Sequence, residues 1–331
     1  MVEPTPDGQR DRALGALLGL AMGDALGMPT QTLSAAEIRA RYGRIGGFQA
    51  PYAGHPVSHG LPAGAVTDDT EQALLLARRI LAGPWDDRAW ATDLLAWEAG
   101  VKARGLRDLL GPSTKRALEA LSAGADPAET GRQGTTNGAA MRIAPVGIAM
   151  PPDPLADLVA TVARTARVTH ATAPAIAAAS AVAAAVSAGI AGAGWQAACA
   201  LAIVAARRGA LAGCWAEAAD VATRIEAACA ARDPVSLIGT SVMATESVPC
   251  ALGLVALAEG DAWQAGCMAA EAGGDTDTIA AIAGAICGAC QGSSALPKET
   301  VAFLVEVNGL VLEPLIDGLL AMRRMQDRGA A

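Results

Sequence analysis

Apolar residues recur along this chain three and four positions apart, the spacing of a helix face, and rarely alternate as a half-buried strand would. The pattern predicts a first helix over 10–26, closed by the turn Gly27-Met28-Pro29. Further helices are expected over 67–81, 87–100, 113–123, 155–166, 173–190, 195–208, 211–230, 246–258, 261–271, 277–290, 298–307 and 311–326. The class this predicts is all-α. No linker rich in Ser, Pro or charge divides the chain, so 10–327 reads as a compact, single multi-helix domain behind a flexible N-terminal segment, 1–9. One break is long. Residues 43–66, GRIGGFQAPYAGHPVSHGLPAGAV, form a loop carrying His55 and His59. Structureless loops of this length inside a domain are usually functional. Two readings stay open: a flexible surface loop with two solvated histidines, or a loop that closes over a cleft and selects the leaving group.

Composition strengthens the helical reading. Hydrophobic residues make up 52% of the 331 and charged residues 18%, which excludes a disordered body. Alanine is abundant and aromatic residues are only 3%; alanine favours helices, and small side chains let helices approach closely. The stretch 171–206 holds no charge and is long enough to span a bilayer. It is mostly Ala, Gly and Ser, and it breaks at Gly192-Ala193-Gly194. We therefore expect two buried core helices and no membrane partner.

The net charge of −8 argues against a nucleic-acid partner. The polar start MVEPTPDGQRDR is not a signal peptide. Cys287 and Cys290 form a CxxC, but no second pair or nearby His completes a zinc site. The seven cysteines read as buried reduced thiols of a cytoplasmic protein.

One short echo carries candidate chemistry. Thr67-Asp68-Asp69-Thr70 and Asp275-Thr276-Asp277-Thr278 each stand before an apolar helix. Helix capping explains one Asp or Thr at each start. Two carboxylates at each start exceed that need. If the two starts meet, the like charges require a cation, and carboxylate and hydroxyl oxygens suit Mg²⁺, Mn²⁺ or Ca²⁺. Capping and metal binding both remain open at this point.

Five stretches then resemble, in order, the motifs of the ADP-ribosylglycohydrolase family of the dinitrogenase-reductase-activating type. They are GALLGLAMGDALGMPTQ (15–31), VTDDTEQALLLARRI (66–80), GTTNGAAMRIAPVGI (134–148), VTHATAPAIAAA (168–179) and GGDTDTIAAIAGAICGA (273–289). The resemblance covers about residues 10–290. It implies a compact all-α fold with a central two-metal site, two divalent ions, Mg²⁺ or Mn²⁺. It also implies cleavage of a glycosidic bond at C1 of an ADP-linked ribose, with a ribosyl-containing small molecule or an ADP-ribosylated protein as partner.

Carried over by motif, the resemblance makes Thr67, Asp68 and Asp69 one ligand set and Asp275, Asp277 and Thr278 the other. Asp24 matches an acid near the substrate cleft, and it joins Asp69 and Asp277 as an expected catalytic group. Asn137, Gly138, Met141, Arg142 and His170 match cleft-lining or substrate-side positions, with Gly138 allowing close approach of a ligand. Gln31 stands where many members carry Glu. Gln cannot act as a base, though it can bond a sugar hydroxyl. The expected activity is removal of ADP-ribose from a protein or small acceptor. The alternatives are hydrolysis of a free nucleoside or related ribosyl metabolite, and metal-dependent ADP-ribose binding without turnover.

Overall fold

The computed structural model describes residues 5–105 and 110–329. Among the described residues there are seventeen α-helices. The first five are α1 (Pro6–Gly27), α2 (Ala35–Tyr42), α3 (Asp68–Leu81), α4 (Asp87–Ala103) and α5 (Pro112–Ser122). Then follow α6 (Gly138–Met141), α7 (Ala144–Ala149), α8 (Leu155–Ala166), α9 (Ala173–Ile190), α10 (Trp195–Ala210) and α11 (Val221–Ala230). The last are α12 (Pro234–Ile238), α13 (Ala244–Leu257), α14 (Ala262–Ala270), α15 (Thr276–Gln291), α16 (Lys298–Asn308) and α17 (Glu313–Gly329). Among the described residues no strand forms, and only Thr136 with Met243 and Thr172 with Cys214 make isolated bridges. The all-α class is as expected.

The central contact is between α1 and α15. Gly15 of α1 lies on Gly288, and Gly27 lies on Thr276 and Asp277, so the helices run antiparallel. The approach is close along the seam. A Cβ on Gly19 would stand 2.1 Å from the Gly284 carbonyl oxygen, and one on Gly284 would stand 2.1 Å from the Gly19 carbonyl oxygen. Backbone meets backbone there, so neither position accepts any side chain. The consequence is functional: the C-terminal end of α1 is pinned beside the N-terminal end of α15.

Helix α9 sits inside the fold, against α7, α8, α10, α13 and α15. Its 18 residues have a mean hydropathy of 1.8, enough by length and composition to cross a membrane, but 94% of them are buried by protein. The charge-free run 171–206 is thus explained by packing, with Gly192 turning the chain between α9 and α10 as expected. Among the described residues all seven cysteines are free thiols, four of them buried, including Cys287 and Cys290.

Several expectations are corrected. Helix α1 begins at Pro6, not at 10, because Thr5 caps it by accepting the Gly8 N–H at 3.2 Å. Residues 6–9 of the expected flexible segment are therefore helical, and 1–4 lie outside the described residues. Helix α2 was not legible because Ile38 is its only buried residue; a capping box between Ser34 and Glu37 holds it instead. The expected helix over 211–230 exists only from Val221. Its first part is drawn onto the start of α9, where Cys214 exchanges backbone bonds with Ala171 and Ala173 at 2.7 and 2.6 Å.

Candidate active site at the ends of α1, α3 and α15

The seam brings three helix ends together. Asp24, one turn from the end of α1, is fully buried and points at the start of α3. Its carboxylate accepts the Thr67 and Thr70 N–H groups, the Thr67 hydroxyl at 2.7 Å and the Thr70 hydroxyl at 2.5 Å. Asp24 thus caps α3 from another helix, which explains why Thr67 makes no cap bond to α3 itself. Burial pushes its pKa up to about 6, against the lowering effect of Thr70 and Thr67. Both oxygens accept hydrogen bonds from Thr67 and Thr70, so Asp24 holds the start of α3 in position.

The two acidic clusters do meet. The Thr278 hydroxyl of α15 donates to Asp69 Oδ2 of α3 at 3.3 Å. Asp275 accepts from the Asn137 side-chain amide, which also donates to the Ser247 hydroxyl at 2.9 Å. Asp68 Oδ2 accepts from Gln72 at 3.4 Å. Burial, then neighbouring carboxylates, holds Asp68, Asp69 and Asp277 well above the usual carboxylate range. Burial raises Asp275 to about 6, with the Asn137 bond opposing it.

Two atoms stand out. Asp69 Oδ1 and Asp277 Oδ1 are buried and find no hydrogen-bond partner among the described residues. A buried unpaired carboxylate oxygen is costly unless something outside the chain satisfies it. The available donors around them are carboxylate and hydroxyl oxygens, the set that hard divalent cations take. Among the described residues, however, no three His, Cys, Asp or Glu side chains form a ready-made metal cage. The donor chemistry fits a hard cation, while the spacing is not that of a closed coordination shell.

Beside these acids lies a cavity of about 140 Å³. Asp68, Asp275, Asp277 and Thr278 form one wall; Gln31, Asn137, Gly138 and Met141 line the rest, with Thr114 and Val57. Six of the expected ligands and four of the expected substrate-side residues are therefore at or next to one small space. Thr67 and Asp69 stand behind its lining, bonded to Asp24 and Thr278.

Two expected substrate residues are elsewhere. His170 is fully buried behind Gly138, whose missing Cβ would stand 2.8 Å from the imidazole. Gly138 thus makes room for His170 as well as for the cavity. Arg142 is buried too, donating to Gln72 and Thr169 under the Trp90 ring. Neither lines the cavity.

The long loop is also reassigned. His55 donates from Nε2 to the Gln31 carbonyl at 3.1 Å and accepts the Ser58 N–H at Nδ1 at 2.9 Å. Ser58 in turn accepts from the Gln31 amide at 2.8 Å. The loop histidines hold loop structure, and only Val57 of this loop reaches the cavity. Thr114 and Val57 were missed because nothing local distinguishes a lone Thr or Val that lines a pocket only through folding.

A helical fold that gathers buried aspartates at two helix starts, around a pocket lined by hydroxyl and amide groups, has the architecture of a carboxylate-centred glycosidase. The chain belongs to the ADP-ribosylglycohydrolase family, whose model matches residues 5–329. It is 33% identical to the uncharacterized protein YegU of Escherichia coli K12 over 330 residues, 96% of this chain and 98% of that one. It is 35% identical to the ADP-ribosyl-[dinitrogen reductase] glycohydrolase of Rhodospirillum rubrum over 167 residues, 48% of this chain and 51% of that one. A solved structure titled ADP-ribosylglycohydrolase-related protein complex superposes with a TM-score of 0.73 at 30% identity, over 97% of this chain and 99% of that one. The protein is accordingly a glycosidase of the ADP-ribosylglycohydrolase type.

Proposed function

We propose that the protein hydrolyses a ribosyl glycosidic bond, removing ADP-ribose from a modified protein or small acceptor, with two divalent ions, Mg²⁺ or Mn²⁺. Thr67, Asp68, Asp69, Asp275, Asp277 and Thr278 would hold the ions. The observation that carries this reading is the pair of buried, unpartnered oxygens, Asp69 Oδ1 and Asp277 Oδ1. The ions would supply Lewis acidity toward a sugar diol and toward water.

The chain's own groups divide the remaining work. Asp277 or Asp69, through a carboxylate oxygen that an ion does not occupy, would accept a proton from the attacking water. Gln31 spends its amide N–H on Ser58, which leaves its side-chain carbonyl as an acceptor for a sugar hydroxyl. Asn137, held by Asp275 and Ser247, fixes the pocket lining next to the acids. Glycosidic cleavage passes through an oxocarbenium-like state, and the neighbouring carboxylates stabilise that positive charge. Asp24 keeps the start of α3 in place. Seven free thiols suit the reducing cytoplasm where we place the enzyme.

The size of the pocket favours a second reading, a free nucleoside or related ribosyl metabolite as substrate. About 140 Å³ encloses a sugar-sized group and not a whole dinucleotide-like ligand, and among its described lining residues there is no Lys, Arg or His to meet a diphosphate. A hydrolysis panel with ADP-ribosyl-arginine, ADP-ribosyl-serine and common nucleosides decides between the two. Strong competition by ADP-ribose selects the first. Turnover that survives complete chelation, or full activity of Asp277→Ala, removes the metal-dependent mechanism from both.

A further inference from the structure

Among the described residues no carboxylate is in hydrogen-bond contact with Arg142, yet it is 1% exposed. Arginine is almost never buried without a paired charge. Its guanidinium donates to Gln72 Oε1 at 2.6 Å and to the Thr169 hydroxyl. Each acceptor leads onward. Gln72 passes the contact to Asp68 Oδ2 through its own amide. Thr169 meets His170 Nδ1 at 2.7 Å, and His170 Nε2 meets the Thr136 hydroxyl at 3.0 Å.

Donor inventory lets the second arm run outward from Arg142. Arginine only donates. With Thr169 oxygen accepting from Arg142, the Thr169 hydrogen is free to point to His170 Nδ1. His170 then carries its proton on Nε2 and donates to Thr136. The chain runs one way, Arg142 to Thr169 to His170 to Thr136, and ends beside Asn137, which holds Asp275. The Asp68 cluster is thus reached by hydrogen bonds from one buried cation, and the second arm ends at Thr136, next in sequence to Asn137. Burial and the Arg142 charge both keep His170 neutral, with a single ring proton to place.

We propose that Arg142 is the positioning residue of the site: through Gln72 it orients Asp68, and through Thr169 it fixes the His170 tautomer that supports the Thr136–Gly138 wall. The proposal deepens the metal-dependent reading above and shares its ligand assignment. Arg142 does not touch substrate. Its side chain acts on ligand geometry from behind.

Two measurements test it. The chain has three histidines, so ¹⁵N spectra of histidine-labelled protein resolve them. Wild type should show His170 as the Nε2–H tautomer, and the isosteric Thr169→Val should shift the Nδ1 resonance or mix the tautomers. Gln72→Met should weaken Mn²⁺ binding about tenfold, in the range known for outer partners of metal ligands, with the fold retained. Arg142→Gln should do both, and Arg142→Lys should restore less than half of the lost Mn²⁺ affinity, since Lys lacks the fork. An Nδ1–H tautomer in wild type, or a Thr169→Val spectrum unchanged at His170, overturns the proposal. So does Mn²⁺ affinity within twofold of wild type in Gln72→Met. Absence of Mn²⁺ binding by wild type would instead overturn the functional reading, and the histidine spectra would still judge the tautomer arm.

Discussion

The Thr278 hydroxyl donates to Asp69 Oδ2 across 3.3 Å, although 209 residues separate them in the chain. This contact joins the two acidic helix starts. It depends on α1, which is packed on α15 through glycine and supports α3 through Asp24.

A first prediction concerns the unpaired acids. Asp277→Asn removes a buried carboxylate crowded by Asp275, Asp24 and Asp68. The melting temperature of metal-free protein should hold or rise, while Mn²⁺ affinity falls at least about tenfold. Calorimetry of both properties checks this, and a large fall in stability with normal Mn²⁺ binding would refute it.

Asp24 should behave in the opposite way. Asp24→Ala strands two N–H groups and two hydroxyls in a dry site. The loss should be about 3 kcal/mol or more in denaturant unfolding, with activity lost through displacement of α3. A cost near zero would mean that Asp24 does not hold α3.

Gly284→Ala tests the seam. Its new Cβ would stand 2.1 Å from a carbonyl oxygen, so α1 and α15 must separate. We expect a loss of at least about 2 kcal/mol. Gly46→Ala, where nothing lies within 4 Å of the new atom, should change stability by less than about 0.5 kcal/mol.

The pH dependence has two opposing parts. His170 titrates well below its ordinary value when folded and near about 6.5 when unfolded. As pH falls through 6.5 the unfolded chain takes up a proton that the native state refuses, so stability falls, by at most about 1.4 kcal/mol per pH unit. Asp24 and Asp275, raised to about 6, act the other way, because the native state holds protons there that the unfolded state has lost. The difference between wild type and His170→Gln isolates the histidine. Between pH 7.5 and 5.5 the variant should lose less stability than wild type; parallel curves would show that His170 is not held neutral.

The helices were readable wherever an apolar face is wide. Helix α8 is an example, with Leu158, Val159 and Val162 buried on one side. Helices α6 and α7, only four and six residues long, gave no period to read. The site was half legible. Asp68, Asp69, Asp275 and Asp277 announced themselves by crowding at helix starts, beyond what capping requires. The roles of Asp24, Arg142 and His170 did not, because a buried Asp that caps another helix and one that does acid chemistry have the same neighbours in sequence.

From sequence alone come the all-α class, the two acidic helix starts, the family and the expected type of bond cleaved. Spacing, alanine content and short motifs are local properties, and they survive without knowledge of what packs on what. Folding alone decides that Asp24 caps α3, that His170 and Arg142 stand behind the pocket wall, and that Asp69 and Asp277 each keep an oxygen unpaired. The reason is physical: a side chain's role depends on which donors and acceptors reach it, and here those partners come from elements that only the α1–α15 seam brings together.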